Sequence, residues 1–117
     1  MITLYGIKNC DTVKKSQQLL DKEKRAWVLH DFREQGLERD LIETFLDALE
    51  ASELVNKRST SWRQLTREQQ QQISSRVALV DTLLQYPTLI KRPVVKTGQG
   101  DWLIGYAALN DYLRRTA

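Results

Sequence analysis

Ile2-Thr3-Leu4-Tyr5-Gly6-Ile7-Lys8-Asn9-Cys10-Asp11-Thr12-Val13-Lys14-Lys15 holds the only cysteine of the chain. The segment reads as a strand, a tight turn and the start of a helix. Ile2 to Tyr5 are short and β-prone, and Gly6 breaks the run. After Cys10 the apolar residues take helical spacing, at Val13 and then Leu19 and Leu20. Cys10 is therefore expected in the turn, just before or within the first helical turn. The first N–H groups of a helix lack intrahelical partners, and the helix dipole places partial positive charge there. Both favour a thiolate over a thiol, and Lys8, Lys14 and Lys15 add positive charge. The carboxylate of Asp11 works against ionisation, because like charges repel. A reactive thiolate is one reading of Cys10; the other is a buried, inert cysteine that packs as a small hydrophobe.

The 117 residues suit one domain with a modest core. Apolar residues make up 41% and charged residues 28%, the balance of an ordinary soluble globular protein. No apolar run is long enough to span a bilayer, so no membrane association is expected. The N-terminus has no charged-then-apolar signal pattern. One cysteine cannot close an internal disulfide, which fits a reducing compartment. These features point to a cytoplasmic protein. One Cys and one His are too few for a Cys-x-x-Cys redox pair or a cysteine-rich zinc site, so no metal is expected. The net charge of +3 permits anionic small molecules as partners. It does not amount to the clustered basic stripe of a protein that binds nucleic acid directly.

The first helix is expected from about Thr12 to Lys24. A second strand follows at Ala26-Trp27-Val28-Leu29, and strand–helix–strand within this length makes a βαβ unit with parallel strands. His30, the lone histidine, is either a proton-transfer group or a structural residue at a strand end, and the latter is favoured because the sequence shows no catalytic partner for it. Gly36 punctuates the chain. Leu41, Ile42, Phe45, Leu46 and Leu49 then mark an amphipathic helix within Leu37–Ala51. The less regular stretch to Arg63 contains the basic, hydroxyl-rich run Asn56-Lys57-Arg58-Ser59-Thr60-Ser61-Trp62-Arg63. Thr66-Arg67-Glu68-Gln69 reads as a capping box. It opens a glutamine-rich helix expected to continue through Ile73, Val77, Val80, Leu83 and Leu84 until Pro87 stops it. The sheet is expected to resume over Thr88–Lys96, turn at Thr97-Gly98-Gln99-Gly100-Asp101 and return along Trp102-Leu103-Ile104-Gly105 as an antiparallel hairpin. Ala107–Arg115 closes the chain as a helix with Leu109, Tyr112 and Leu113 on its apolar side.

The resulting order is β-α-β, helices, β-β-α. It is the order of an α/β, thioredoxin-like fold with an inserted helical subdomain. The thioredoxin-like part is expected at 1–36 and 87–117, and the helical insertion at 37–86. Pro93 falls where a hairpin strand should pair, a place that proline tolerates only at an edge, a bulge or a strand start.

Three stretches carry a resemblance: Tyr5–Lys15, Asn56–Arg63 and Leu89–Val95. Together they resemble the ArsC/Spx family of arsenate reductase-like proteins, most closely its YffB-type branch, over nearly the whole chain. The resemblance implies a cis proline at Pro93, facing the active cysteine. It makes Cys10 the nucleophile and Arg58 and Arg92 two of three oxyanion-binding arginines. The third falls at or near Tyr106, where this chain has no arginine. The activity implied is that of a glutathione-dependent thiol oxidoreductase. In it a single catalytic cysteine forms a mixed disulfide with glutathione, the co-substrate, and an outside thiol such as glutaredoxin resolves it. Arg58 and Arg92 would hold a small anionic substrate or the glutathione carboxylates. Lys8 and Lys14 would act as electrostatic aids, Thr12 would hydrogen-bond the thiolate, Pro93 would form the opposite wall, and these four with Asn9 would line the site for the substrate or glutathione. Two alternatives follow from the same family. One is true arsenate reduction. The other is a non-catalytic Spx-like regulator that binds RNA polymerase; its Cys-x-x-Cys switch is absent here, because position 13 is Val13.

Overall fold

A computed structural model describes residues 1–117. The chain divides into two compact units, Met1–Gly36 with Arg92–Ala117, and Leu37–Lys91.

The first unit is built on a four-stranded sheet in the order β2-β1-β3-β4. Strand β1 spans Ile2–Gly6 and β2 Trp27–Asp31, and the two pair in parallel. Parallel neighbours need a crossover, and helix α1, Asp11–Lys22, supplies it. Strands β3, Val94–Lys96, and β4, Trp102–Ile104, form an antiparallel hairpin, with β3 antiparallel to β1. Helix α7, Tyr106–Arg115, follows. Alternation along β1 decides which side chains face the helices: Ile2 and Leu4 are buried, while Thr3 and Tyr5 are half-buried. Ile2, Leu4 and Val95 pack with Leu20 of α1 and with Leu109, Tyr112 and Leu113 of α7. Burial of a side chain such as Leu20 stabilises the fold by about 1.5–3 kcal/mol. This is the sheet and helix arrangement of a thioredoxin-like fold.

The second unit is helical: α2, Arg39–Ala48; α3, Ala51–Leu54; α4, Thr60–Gln64; α5, Arg67–Gln72; and α6, Arg76–Gln85. A 3-10 turn at Pro87–Leu89 ends it. Helix α2 buries Ile42 and Phe45, and α6 buries Leu79, Val80 and Leu83. Arg76 bridges to Glu43 and Asp47, and Arg39 pairs with Asp81, so α2 and α6 are also joined by charge. These pairs are exposed and contribute little energy each.

Several boundaries differ from the sequence reading, each for a local reason. The expected continuous helix after Thr66 is two helices. The capping box forms, with Thr66 Oγ1 accepting the Gln69 N–H and Gln69 Oε1 accepting the Thr66 N–H. The helix stops at Gln72, however, because the Ser75 hydroxyl starts a new one by accepting the Ala78 N–H. The third strand begins at Val94 rather than Thr88. Residues 89–91 are tied to the helical unit instead: Asn56 donates to the Leu89 carbonyl at 2.7 Å, Ile90 bridges Val55, and Lys91 donates to the Leu54 carbonyl at 2.8 Å. The helical unit therefore extends to Lys91. Strand β2 runs two residues beyond Leu29, to Asp31, because β1 continues through Gly6 as its partner.

Candidate functional site

Cys10 is the N-cap residue of α1. Its backbone is extended, at φ −139° and ψ 125°, and its carbonyl accepts the Lys14 N–H at 3.0 Å. Its thiol is half-buried, makes no capping hydrogen bond and is in no disulfide. The sequence reading placed the cysteine at this helix start, and Cys10 is half-buried there, not fully buried. Helix α1 begins with no side-chain cap, so its first N–H groups lie open at the end that carries the thiol.

Gly6 brings a second functional candidate to this end of the sheet. A Cβ built on Gly6 would lie 3.0 Å from Cγ2 of Val13 and 3.6 Å from Cβ and Cγ of Arg92. The stem of Arg92 and the first turn of α1 thus converge on the bare α-carbon of Gly6. Arg92 is half-buried and has no carboxylate partner. The Arg92–Pro93 bond is cis. Pro93 is buried, and its carbonyl accepts the N–H of Gly105, the N-cap of α7, at 2.8 Å. Pro93 sits just before β3 and enters this contact through its carbonyl alone, so its missing N–H costs nothing there.

The lysines divide by partner. Lys8 pairs with Glu34, which raises its pKa above the ordinary lysine value through the hydrogen bond and the charge of that carboxylate. Lys15 lies over the Tyr106 ring, 4.3 Å from its centre. Lys14, Asn9 and Thr12 are exposed. The Thr12 carbonyl accepts the hydroxyl of the buried Ser16 at 2.8 Å.

Arg58 belongs to the helical unit, in the loop between α3 and α4. Its N–H donates to Asn56 Oδ1 at 3.1 Å, and its side chain is exposed with no carboxylate partner. The Ser59 hydroxyl caps α4 through the Trp62 N–H. The hydroxyl-rich run around Arg58 is thus a set of turn and cap bonds that hold the arginine's backbone.

His30 is a structural residue. Its Nε2 lies 2.9 Å from the Gly36 carbonyl, an acceptor only, so this nitrogen carries the proton. Its ring packs 5.2 Å from that of Tyr5, its partner in the β1–β2 register.

One residue of this end went unread in the sequence. Asp31 is 2% exposed and closes β2. Its Oδ2 accepts the Lys8 N–H at 2.7 Å, and its Oδ1 accepts those of Arg33 at 2.7 Å and Glu34 at 3.2 Å. Burial opposes its ionisation, but the backbone donors and the Lys8 charge outweigh that and hold its pKa below the usual carboxylate value. The signal available was Asp31-Phe32-Arg33-Glu34-Gln35-Gly36, an aspartate opening a polar turn that ends in glycine.

Known proteins resemble this chain over most or all of its length. A relative from Haemophilus influenzae, described as an uncharacterized protein, is 42% identical over 106 residues and 91% of each chain is covered. A solved structure named YFFB protein superposes with a TM-score of 0.87 at 31% identity, with 100% of both chains covered. An arsenate reductase (ArsC) related protein from Brucella melitensis gives a TM-score of 0.77 at 30% identity over 97% of this chain and 94% of its own. The model of the ArsC family matches residues 5–110, and the chain belongs to that family.

Proposed function

We propose that this protein is a glutathione-dependent thiol oxidoreductase working through Cys10 alone. Membership of the ArsC family supports a reductase-like activity. The observation that carries the reading is the half-buried, unbonded thiol of Cys10 at the uncapped head of α1. In the reaction, the Cys10 thiolate attacks one sulfur of a glutathione disulfide. The Cys10–glutathione S–S bond forms, the original S–S bond breaks, and the other half leaves as a thiolate that takes a proton from water. The thiolate of a glutaredoxin then attacks the glutathione sulfur, taking the glutathione as its own mixed disulfide and releasing Cys10 as a thiolate. Each step is a two-electron exchange between sulfurs and needs no metal. Arg92, which has no carboxylate partner, is the cation we assign to a glutathione carboxylate or another small anion.

The test is incubation with glutathione disulfide, followed by intact-mass measurement. The expected product carries one glutathione on Cys10 and loses it on addition of reduced glutathione. Cys10→Ser should give no adduct. An unmodified wild-type protein under conditions that label a small free thiol would overturn the reading.

A further inference from the structure

We infer that Asp31 is a positioning residue for the reacting thiol, holding the loop that delivers Cys10 to the head of α1. The inference rests on the proposed role of Cys10 as nucleophile.

Three polar side chains of the chain are buried: Ser16, Asp31 and Thr97. Two of them serve their own surroundings. The Ser16 hydroxyl bonds the Thr12 carbonyl within α1, and the Thr97 hydroxyl accepts the Asp101 N–H within the hairpin turn. Asp31 alone joins segments far apart in sequence, reaching Lys8 across 23 positions. Its two oxygens divide the work. Oδ1 gathers the Arg33 and Glu34 N–H groups and folds the turn after β2. Oδ2 is given to Lys8.

The geometry of the loop makes that one bond matter. Between the end of β1 and Cys10 lie only Ile7, Lys8 and Asn9. Ile7 is 3% exposed and anchored by packing. Lys8 is anchored by its N–H to Asp31 and, more weakly, by its exposed ammonium to Glu34. One residue of slack, Asn9, remains before the thiol. The turn that carries Asp31 is itself held. The Asp31 N–H donates to Gln35 Oε1 at 2.7 Å, and the Phe32 N–H donates to the Gly6 carbonyl at 2.8 Å. The thiol loop is therefore fastened to a fixed point, and a carboxylate is the acceptor suited to several converging N–H donors.

The experiment compares wild type, Asp31→Asn and, as a control for lost stability, Thr66→Ala in the other unit. Three quantities are read on folded protein: exchange of the Lys8 amide by NMR, the iodoacetamide rate of Cys10, and kcat and KM for glutathione disulfide with a glutaredoxin as the resolving thiol. Losing a charge-assisted bond to a buried acceptor should speed Lys8 exchange in Asp31→Asn by about tenfold. Alkylation and kcat should fall with it, KM should stay near wild type, and Thr66→Ala should move none of the three. Wild-type Lys8 exchange in Asp31→Asn overturns the inference. So does faster exchange with unchanged alkylation and kcat, which would reduce Asp31 to a stabilising residue. If Asp31→Asn does not fold, Asp31→Glu, which keeps the charge but displaces it, is read by the same criteria. Failure of the underlying reading shows separately, as a wild-type Cys10 that forms no glutathione adduct.

Discussion

Gly6 and Arg92 are neighbours: the stem of Arg92 lies over the bare α-carbon of Gly6, near enough for ordinary contact with a side chain placed there. A Cβ on Gly6 would stand 3.6 Å from Cβ and Cγ of Arg92, and at 3.0 Å it would press on Cγ2 of Val13. Val13 is fully buried in the first turn of α1 and, being β-branched, has little freedom to move aside. Gly6→Ala should therefore destabilise the protein by about 1–3 kcal/mol, as overpacked cores do, although alanine is otherwise acceptable in a strand. Urea unfolding measures the loss. Because Val13 lies three residues after Cys10, the same variant should also alkylate at a changed rate.

Arg92 is expected to act by charge and by shape. The residue is half-buried, and its guanidinium has no carboxylate to neutralise it. Arg92→Ala should lower kcat/KM for glutathione disulfide by about tenfold, the scale of one charge-assisted hydrogen bond to a substrate. Arg92→Lys should recover only part of that, since an ammonium cannot reproduce the planar fork. The effect should shrink as salt is raised. Steady-state kinetics of the two variants at low and high salt make the comparison.

Asp31 should leave a mark on acid stability. Its folded pKa lies below the usual carboxylate value, because its backbone donors and the Lys8 charge outweigh the cost of its burial. The unfolded chain therefore binds a proton at higher pH than the folded one. The stability this carboxylate contributes is complete above the ordinary aspartate pKa and is lost as pH falls through the lower folded value. Denaturant midpoints measured from neutral pH downward should show this loss in wild type and a shallower acid limb in Asp31→Asn. At neutral pH Asp31→Ala should cost about 2 kcal/mol, since it strips an acceptor from three backbone N–H groups.

In the helical unit the reciprocal cap at Thr66 and Gln69 starts α5, a six-residue helix with no buried side chain. Such a helix depends on its cap more than on its packing. Thr66→Ala should cost about 1 kcal/mol, and Thr66→Ser much less. Thermal unfolding checks both. Glutathionylation of Cys10 should be unchanged in either.

Some of this was legible residue by residue. The change from alternating to helical spacing around Cys10 located the N-cap within one position, because both periodicities come from the local backbone. Thr66 and Gln69 were readable for the same reason, since a capping box is complete within four residues. Leu109, Tyr112 and Leu113 announced the buried side of α7 by spacing alone, and all three are buried. The break between α5 and α6 was harder. Apolar spacing runs on through Ile73 and Val77, yet Val77 is 70% exposed, and the Ser75 hydroxyl tips the local balance toward a new helix.

What the amino-acid order determined by itself is the succession of elements, the parallel βαβ start, the antiparallel hairpin and a thiol at a helix head. These follow from propensity, period and capping, which act over a few residues. The tertiary structure alone decided that Ile90 and Lys91 bond to Leu54 and Val55 instead of entering the sheet, that Lys8 faces Glu34, and that Asp31 holds the loop of Cys10. Each of these joins residues more than twenty positions apart. Such partners are chosen by which backbone groups would otherwise be buried without a hydrogen bond, and that is settled only when the strands and helices have packed.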